Sequence, residues 1–344
     1  MSSRVKKTTS STRSARRKDM QASETKNRGI KWTLGILLTI IVLSIYALTI
    51  YWSIEPSEFD VVEAAREDAG LTDISQDLPS GAVYTNTLAR MAETVLNKNG
   101  GYLSNDIFPG GMIDNMPAWE FGALVMIRDA TTALRNHFAR SQSQSKENYQ
   151  LSKAEPSFYF THTSYWLPAT EDEYQKGIDN LRIYLKNLND PNASSAHFYA
   201  RADNLSQYLQ VVEKRLGDYS HRLSASSVQK HLYNFSNDKI GVTKTPWLEV
   251  DDVFWEARGA TWALLHILNA VKADFKSTLK GKAALATMQQ IIHELEDSQS
   301  PIMSPMILNG DGFGLFANYS LTMANYITRA NASTLDLRDL MMRG

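Results

Sequence analysis

The chain contains no cysteine in 344 residues. That absence excludes a disulfide framework, thiolate zinc sites, cysteine-ligated iron–sulfur clusters and a cysteine nucleophile. The usual catalytic and nucleotide-binding signatures are missing too: Gly-x-x-x-x-Gly-Lys-Ser/Thr, His-Glu-x-x-His and Gly-x-Ser-x-Gly do not occur. Its histidines (His137, His162, His197, His221, His231, His266 and His293) include no i,i+4 pair. Asn309 to Gly314 has the glycines of a calcium loop, but Phe313 and Ser320 stand where that loop needs oxygen-rich ligands. The sequence therefore leads us to expect no metal and no cofactor.

Net charge is also scarce, with 36 basic and 37 acidic side chains, but the balance conceals an asymmetry. Residues 1–31 carry ten Lys/Arg and two Asp/Glu; the remainder carries 26 and 35. Between these regions, Trp32 to Ile54 is a stretch of 23 residues without a charge. A helix of that length covers about 34 Å at ~1.5 Å per residue, enough to cross a hydrocarbon core of roughly 30 Å. Trp32 marks one interface, and Tyr51 and Trp52 mark the other. Arg28 and Lys31 precede the span; Glu55, Glu58, Asp60 and Glu63 come after it. The positive-inside rule then puts the N-terminus in the cytoplasm and residues 55–344 across the membrane. The apolar run is too long for a signal-peptide core and has no small-residue cleavage site before Glu55, so it reads as an uncleaved anchor.

These features predict a disordered basic tail over residues 1–29, a transmembrane helix over 30–54 and a helical periplasmic domain over 55–344. The lipid bilayer is the partner of residues 30–54. Nucleic acid is not expected, because the basic residues sit on a tail without interleaved aromatics.

Beyond the span the pattern is mainly α. Tyr84, Leu88, Met91 and Val95 recur at helical spacing between Ser80 and Gly100-Gly101. A second helix runs from about Pro117 to Phe138; its stretch from Ala118 to Ile127 is apolar on nearly every side except at Glu120, which predicts burial on several faces. Residues 139–155 read as a polar loop or a soft helix end, and the short aromatic run Ser157 to Leu167 as extended chain. Thr170 and Glu173 have capping-box spacing. Tyr174, Ile178, Leu181, Leu185 and Leu188 then form one apolar stripe. Phe198, Ala202, Leu205, Leu209, Val212, Leu216, Tyr219 and Leu223 form another, at heptad spacing. The short connection predicts a long antiparallel helical hairpin over about 170–223, with Leu209 facing Ile178 or Leu181. Core packing inside a bundle is favoured over a protruding arm. Further helices are expected over about 246–275, 285–295 and 316–330. Trp119-Glu120 and Trp255-Glu256 are each followed by Gly-Ala, and Pro117 and Pro246 each precede such a stretch; the two alignments of this weak repeat are incompatible.

Chemistry has two candidate locations. Glu120, Glu256 and Asp252, beside Trp119, Trp255 and Trp262, have the residue types of a paired-carboxylate glycan-cleaving cleft. The structural alternative places such acids at helix N-termini or against Arg128 and Arg258. The loop Gly101 to Trp119 mixes apolar anchors with glycine and acids: Asp106, Phe108, Gly110, Gly111, Asp114, Asn115 and Trp119 are its candidate interaction residues.

The motifs Gly100-Gly101-Tyr102-Leu103-Ser104-Asn105-Asp106, Pro109-Gly110-Gly111, Asp114-Asn115-Met116-Pro117-x-Trp119-Glu120-x-Gly122 and Arg128-Asp129 resemble a family of proteobacterial inner-membrane proteins catalogued only as a domain of unknown function. The resemblance covers the span and most of the chain after it. It implies a periplasmic domain on an inner-membrane anchor and supplies no activity or catalytic residues. The leading expectation is a non-enzymatic binding or scaffold component of the envelope, with an envelope protein as partner and an oligomer left open. The alternative is an anchored periplasmic cell-wall glycan hydrolase.

Overall fold

In the computed structural model the described residues are 8–71, 76–105, 115–141, 146–190, 192, 195–225, 245–246, 249–302, 307 and 318–343. The chain divides into two units, Met1–Ile54 and Glu55–Gly344.

The first unit is one helix, α1 (Thr8–Trp52). Its segment Lys31–Trp52 is long and apolar enough to cross a membrane, and none of that segment is buried within the protein. Two hydroxyls inside it bond back along the helix: Thr39 to the Gly35 carbonyl, and Thr49 to that of Ile45, each at 2.9 Å. Neither hydroxyl needs a partner from outside, as a lipid-facing helix requires. The helix begins earlier than the expected boundary near residue 30. Once a helix is nucleated, each further residue adds a bond at no new nucleation cost, so it propagates back into the polar segment that composition alone reads as unfolded.

The second unit is helical, with ten α-helices and no strand among the described residues: α2 (Val61–Asp68), α3 (Ala82–Asn97), α4 (Asn115–Ala133, continued by a π-helical turn Leu134–Phe138), α5 (Tyr149–Phe158), α6 (Thr170–Asn189), α7 (Ala202–Ala225), α8 (Val250–Asp274), α9 (Lys276–Gly281), α10 (Leu285–Ser298) and α11 (Tyr319–Met342).

Its centre is the antiparallel crossing of α4 and α8, the two most apolar helices of the unit. A Cβ on Gly122 would stand 1.9 Å from the Glu256 carbonyl oxygen, and one on Gly259 would stand 1.9 Å from that of Trp119. The backbones touch, and only glycine allows it at both positions. The paired Gly-Ala of the weak sequence repeat marks this crossing. Trp119 and Trp262 pack beside it with ring centroids 5.0 Å apart, both fully buried.

Most apolar stripes predicted from sequence point inward. Tyr84, Leu88, Met91 and Val95 of α3 are buried, as are Leu205, Leu209, Val212, Leu216, Tyr219 and Leu223 of α7. The hairpin is not formed. Helix α6 packs on α5 and α3, whereas α7 lies along α11. Helices α7 and α11 run antiparallel: Ser220 meets Thr328 at 2.6 Å, and Arg338 reaches Glu213. The cause lies in the connection. Phe198 is outside α7 and packs among Tyr84, Phe138 and Phe275, with centroids at 6.0, 5.5 and 5.5 Å. It occupies space that Gly81 leaves free, since a Cβ on Gly81 would lie 2.3 Å from its ring. The Tyr184 hydroxyl of α6 donates to the His197 carbonyl at 2.6 Å and the Tyr199 amide donates to the Phe138 carbonyl at 2.7 Å, so the connection is pinned to the π-helical turn after α4 before α7 begins.

Two further expectations are corrected. The polar and aromatic stretch before residue 160 contains α5, capped by Asn148, whose Oδ1 accepts from the amides of Gln150 and Leu151. The capping box of α6 is absent: Ala169 is the N-cap, and the Thr170 hydroxyl serves the preceding turn.

The crossing yields a stability test. Gly122→Ala and Gly259→Ala should each cost at least the ~1–3 kcal/mol typical of overpacking, because a backbone carbonyl cannot move aside as a side chain can. Gly217→Ala on α7, whose Cβ would have its nearest neighbour at 3.7 Å, should be neutral or gain up to about 1 kcal/mol of helix propensity. Denaturant unfolding of the full chain in detergent micelles measures all three. An unchanged midpoint for Gly122→Ala would show that the helices do not meet there.

Candidate functional site

Glu120 lies next to the crossing on α4 and is completely buried. A carboxylate there needs full compensation. Lys98 supplies the charge, with Nζ 2.5 Å from Oε1. The Leu103 amide donates at 2.9 Å, the Ser104 amide at 2.8 Å and the Ser104 hydroxyl at 2.5 Å. Lys98 Nζ also donates to the Gly101 carbonyl at 2.6 Å. Gly100 and Gly101 have φ of 86° and 76°, and so let the chain after α3 curl around the carboxylate. Burial raises the Glu120 pKa, and the adjacent ammonium and the donors oppose that rise.

The curled segment continues into a second construction. Asn105 Nδ2 donates to the Ser164 carbonyl at 2.9 Å and to Glu171 Oε2 at 2.7 Å. The Tyr102 hydroxyl donates to the His162 carbonyl at 3.0 Å. From α4, Arg128 reaches the end of α5: Nε donates to the Phe158 carbonyl at 2.6 Å and Nη2 to that of Phe160 at 2.9 Å. A guanidinium at a helix C-terminus satisfies carbonyls that have no partner in the helix. The fully buried Thr170 hydroxyl bonds the Thr161 carbonyl at 2.9 Å and accepts from the Ser164 amide at 3.1 Å. The Ser164 hydroxyl reaches the carbonyls of Trp166 and Pro168 at 3.1 and 2.9 Å. The turn 161–169 is thereby fixed at its base. At its tip Tyr165, Trp166 and Leu167 are 51%, 75% and 89% exposed.

The other acids and bases are used as ties between helices. Arg222 of α7 holds Glu256 of α8 through two bonds of 2.8 and 2.5 Å. Arg215 of α7 holds Asp129 of α4 at 2.6 and 3.1 Å. Arg258, buried on α8, pairs with Glu55 at 2.7 Å and donates to the carbonyls of Ser298, Gln299 and Ser300. Beside it, His266 joins the same leading segment to α8. Its Nδ1 donates to the Trp262 carbonyl (2.7 Å) and its Nε2 accepts from the Phe59 amide (3.1 Å), while the Phe59 ring stacks on it at 4.2 Å. Burial lowers the His266 pKa to about 4. At the far end of α8, Asp274 accepts from the amides of Gly81 and Tyr84 at 2.9 and 2.7 Å, and burial raises its pKa to about 6 against those bonds.

The residues singled out from sequence scatter accordingly. Glu120 and Glu256 point at different partners, and Glu120 is sealed from solvent. Their partners are Lys98 with loop amides, and Arg222; they are not Arg128 and Arg258. Asp252 sits half-buried in the first turn of α8. Trp119 is core and unavailable to a partner. Asn115 opens α4. Asp106, Phe108, Gly110, Gly111 and Asp114 lie outside the described residues. Sequence reading missed the exposed tip because its aromatic run resembles buried extended chain, although the lack of any charged residue from Thr161 to Thr170 was there to be read. Among the described residues no group of three His, Asp or Glu side chains could hold a metal.

The fold therefore defines a mainly helical protein with one N-terminal helix fit to cross a membrane. The family model described as an uncharacterized protein conserved in bacteria, DUF2333, matches residues 25–344, and the chain belongs to that family. No curated protein and no solved structure matches it.

Two measurements probe this network. Glu120→Gln leaves Lys98 buried without its counter-ion and should cost about 3–5 kcal/mol. Adding Lys98→Met should recover part of that loss, and equal unfolding midpoints for the single and double variants would refute the pairing. For His266, the folded pKa of about 4 lies below the unfolded value near 6.5. Its contribution is fully present above pH 6.5 and is lost as pH falls toward 4, on the order of 3 kcal/mol in all. Stability curves at pH 7, 5.5 and 4 should fall less steeply in His266→Asn than in the parent.

Proposed function

We propose that this chain is a single-pass inner-membrane protein whose helical domain lies in the periplasm and serves, without catalysis, as a scaffold that binds another envelope component. The observation that carries this reading is the fate of the acids a hydrolase would need. Retaining glycosidases hold two carboxyls about 5–5.5 Å apart in an open cleft, and inverting ones ~6.5–9.5 Å. Here Glu120 is enclosed by Lys98 and three further donors, and Glu256 is clasped by Arg222. Groups so committed serve cohesion between helices. The orientation rests on the basic residues before the span and the acidic ones after it.

Two experiments bear on it. Alkaline phosphatase fused after Gly344 should be active, and a reporter that works only in the cytoplasm should be silent there; the reverse pair would invert the topology. Purified full-length protein should release no fragments from peptidoglycan. Release that disappears in a fully folded Glu256→Gln variant would replace the scaffold reading with the hydrolase one.

A further inference from the structure

We infer that the turn Tyr165-Trp166-Leu167 is a second membrane contact, seated in the interfacial region of a phospholipid bilayer. The inference rests on the reading of Lys31–Trp52 as a span. Its starting observation is an expensive exposure that the fold maintains. Trp166 and Leu167 are 75% and 89% exposed, on a turn whose base is bonded by Thr170, Ser164, Asn105 and Arg128. A slack loop could fold such side chains back onto the protein; this one is held with them outward.

Three features favour lipid as the occupant. The tip combines Tyr and Trp, the side chains that prefer the headgroup boundary, with one fully presented Leu. From Thr161 to Thr170 there is no Asp, Glu, Lys or Arg, so entry into the interface desolvates no formal charge. The third is tethering. Only Ser53 and Ile54 separate the end of α1 from Glu55, which is already tied to Arg258. A domain on so short a connection meets bilayer surface at high effective concentration, and a weak apolar contact then suffices. The acidic residues Glu171, Asp172 and Glu173 come at once in the first turn of α6. They limit the depth of insertion and favour zwitterionic over anionic headgroups.

The absence of cysteine makes the test clean, because each introduced cysteine is the sole labelling site. Full-length Leu167→Cys, Leu43→Cys and Ser277→Cys variants are spin-labelled and reconstituted into phosphatidylethanolamine–phosphatidylcholine liposomes. Collision with an aqueous nickel chelate is compared with collision with oxygen. Position 43 reports the span, and position 277 is an exposed helical reference. The expected result is a label at 167 several-fold less accessible to nickel than the label at 277, with reversal in a Trp166→Ser, Leu167→Cys variant. If 43 is shielded and 167 is as accessible as 277, the inference is overturned and the turn is left to a protein partner. If 43 itself is accessible, the anchor reading fails and this inference falls with it.

Discussion

Where α4 and α8 cross, two backbones meet with no side chain between them, and the rest of the helical unit is arranged from that contact outward. Gly122 and Gly259 permit it. Because the helices are pressed together there, the residues beside the glycines have nowhere to go but inward. Trp119 packs on Trp262, and Glu120 is carried into the interior as the neighbour of Trp119. A buried carboxylate is tolerable only with a counter-charge and donors. Lys98 and the amides of Leu103 and Ser104 supply them, which requires the chain after α3 to wrap around the carboxylate through two left-handed glycines. The wrap delivers Asn105 to Ser164, and that bond helps hold the exposed turn. A surface feature is thus fixed, through a short series of local requirements, by a glycine in the core.

The arginines extend the same logic. Arg128, Arg215, Arg222 and Arg258 each link an element to one distant in sequence, and three of them take a carboxylate as partner. Bidentate geometry gives such links orientation as well as energy. The acids are therefore spent on relative helix placement. A catalytic acid needs solvent, substrate and a pKa poised for proton transfer, whereas these have neighbours that occupy their lone pairs.

The helices were largely legible because their apolar stripes are periodic and their burial follows the stripes. Leu205 to Leu223 announces a buried face whatever it packs against. The identity of the packing partner was not legible. Chain proximity argued for α6, but Phe198, counted as the first residue of the stripe, lies outside the helix with its ring beside Gly81 and Phe275, and α7 packs along α11. The capping-box spacing at Thr170 and Glu173 failed for a related reason: the hydroxyl had a better use across the turn, at the Thr161 carbonyl. Glu120 stood out in sequence as the one charge in the apolar stretch Ala118 to Ile127. Its partner could not be named, since Lys98 is distinguished from other lysines only by the glycines that bend the chain back. The exposed tip shows the same limit, because composition reports apolar residues and not which way a bonded turn points them.

Rigidity in the helical unit begins at its first residues. Glu55 is gripped by Arg258, and Phe59 is bonded to and stacked on His266, so the leading segment is part of the folded unit and not a loose leash. That matters for the tethered scaffold proposed above. A single span restrains depth but leaves tilt and rotation open, and each orientation presents a different face to neighbours. A short leash narrows that freedom, and a second contact at Trp166 and Leu167 would constrain what remains. Two weak restraints multiply through effective concentration, since the first holds the second near its target. A scaffold acts through its surface, and the value of that surface depends on its being turned the same way in every copy.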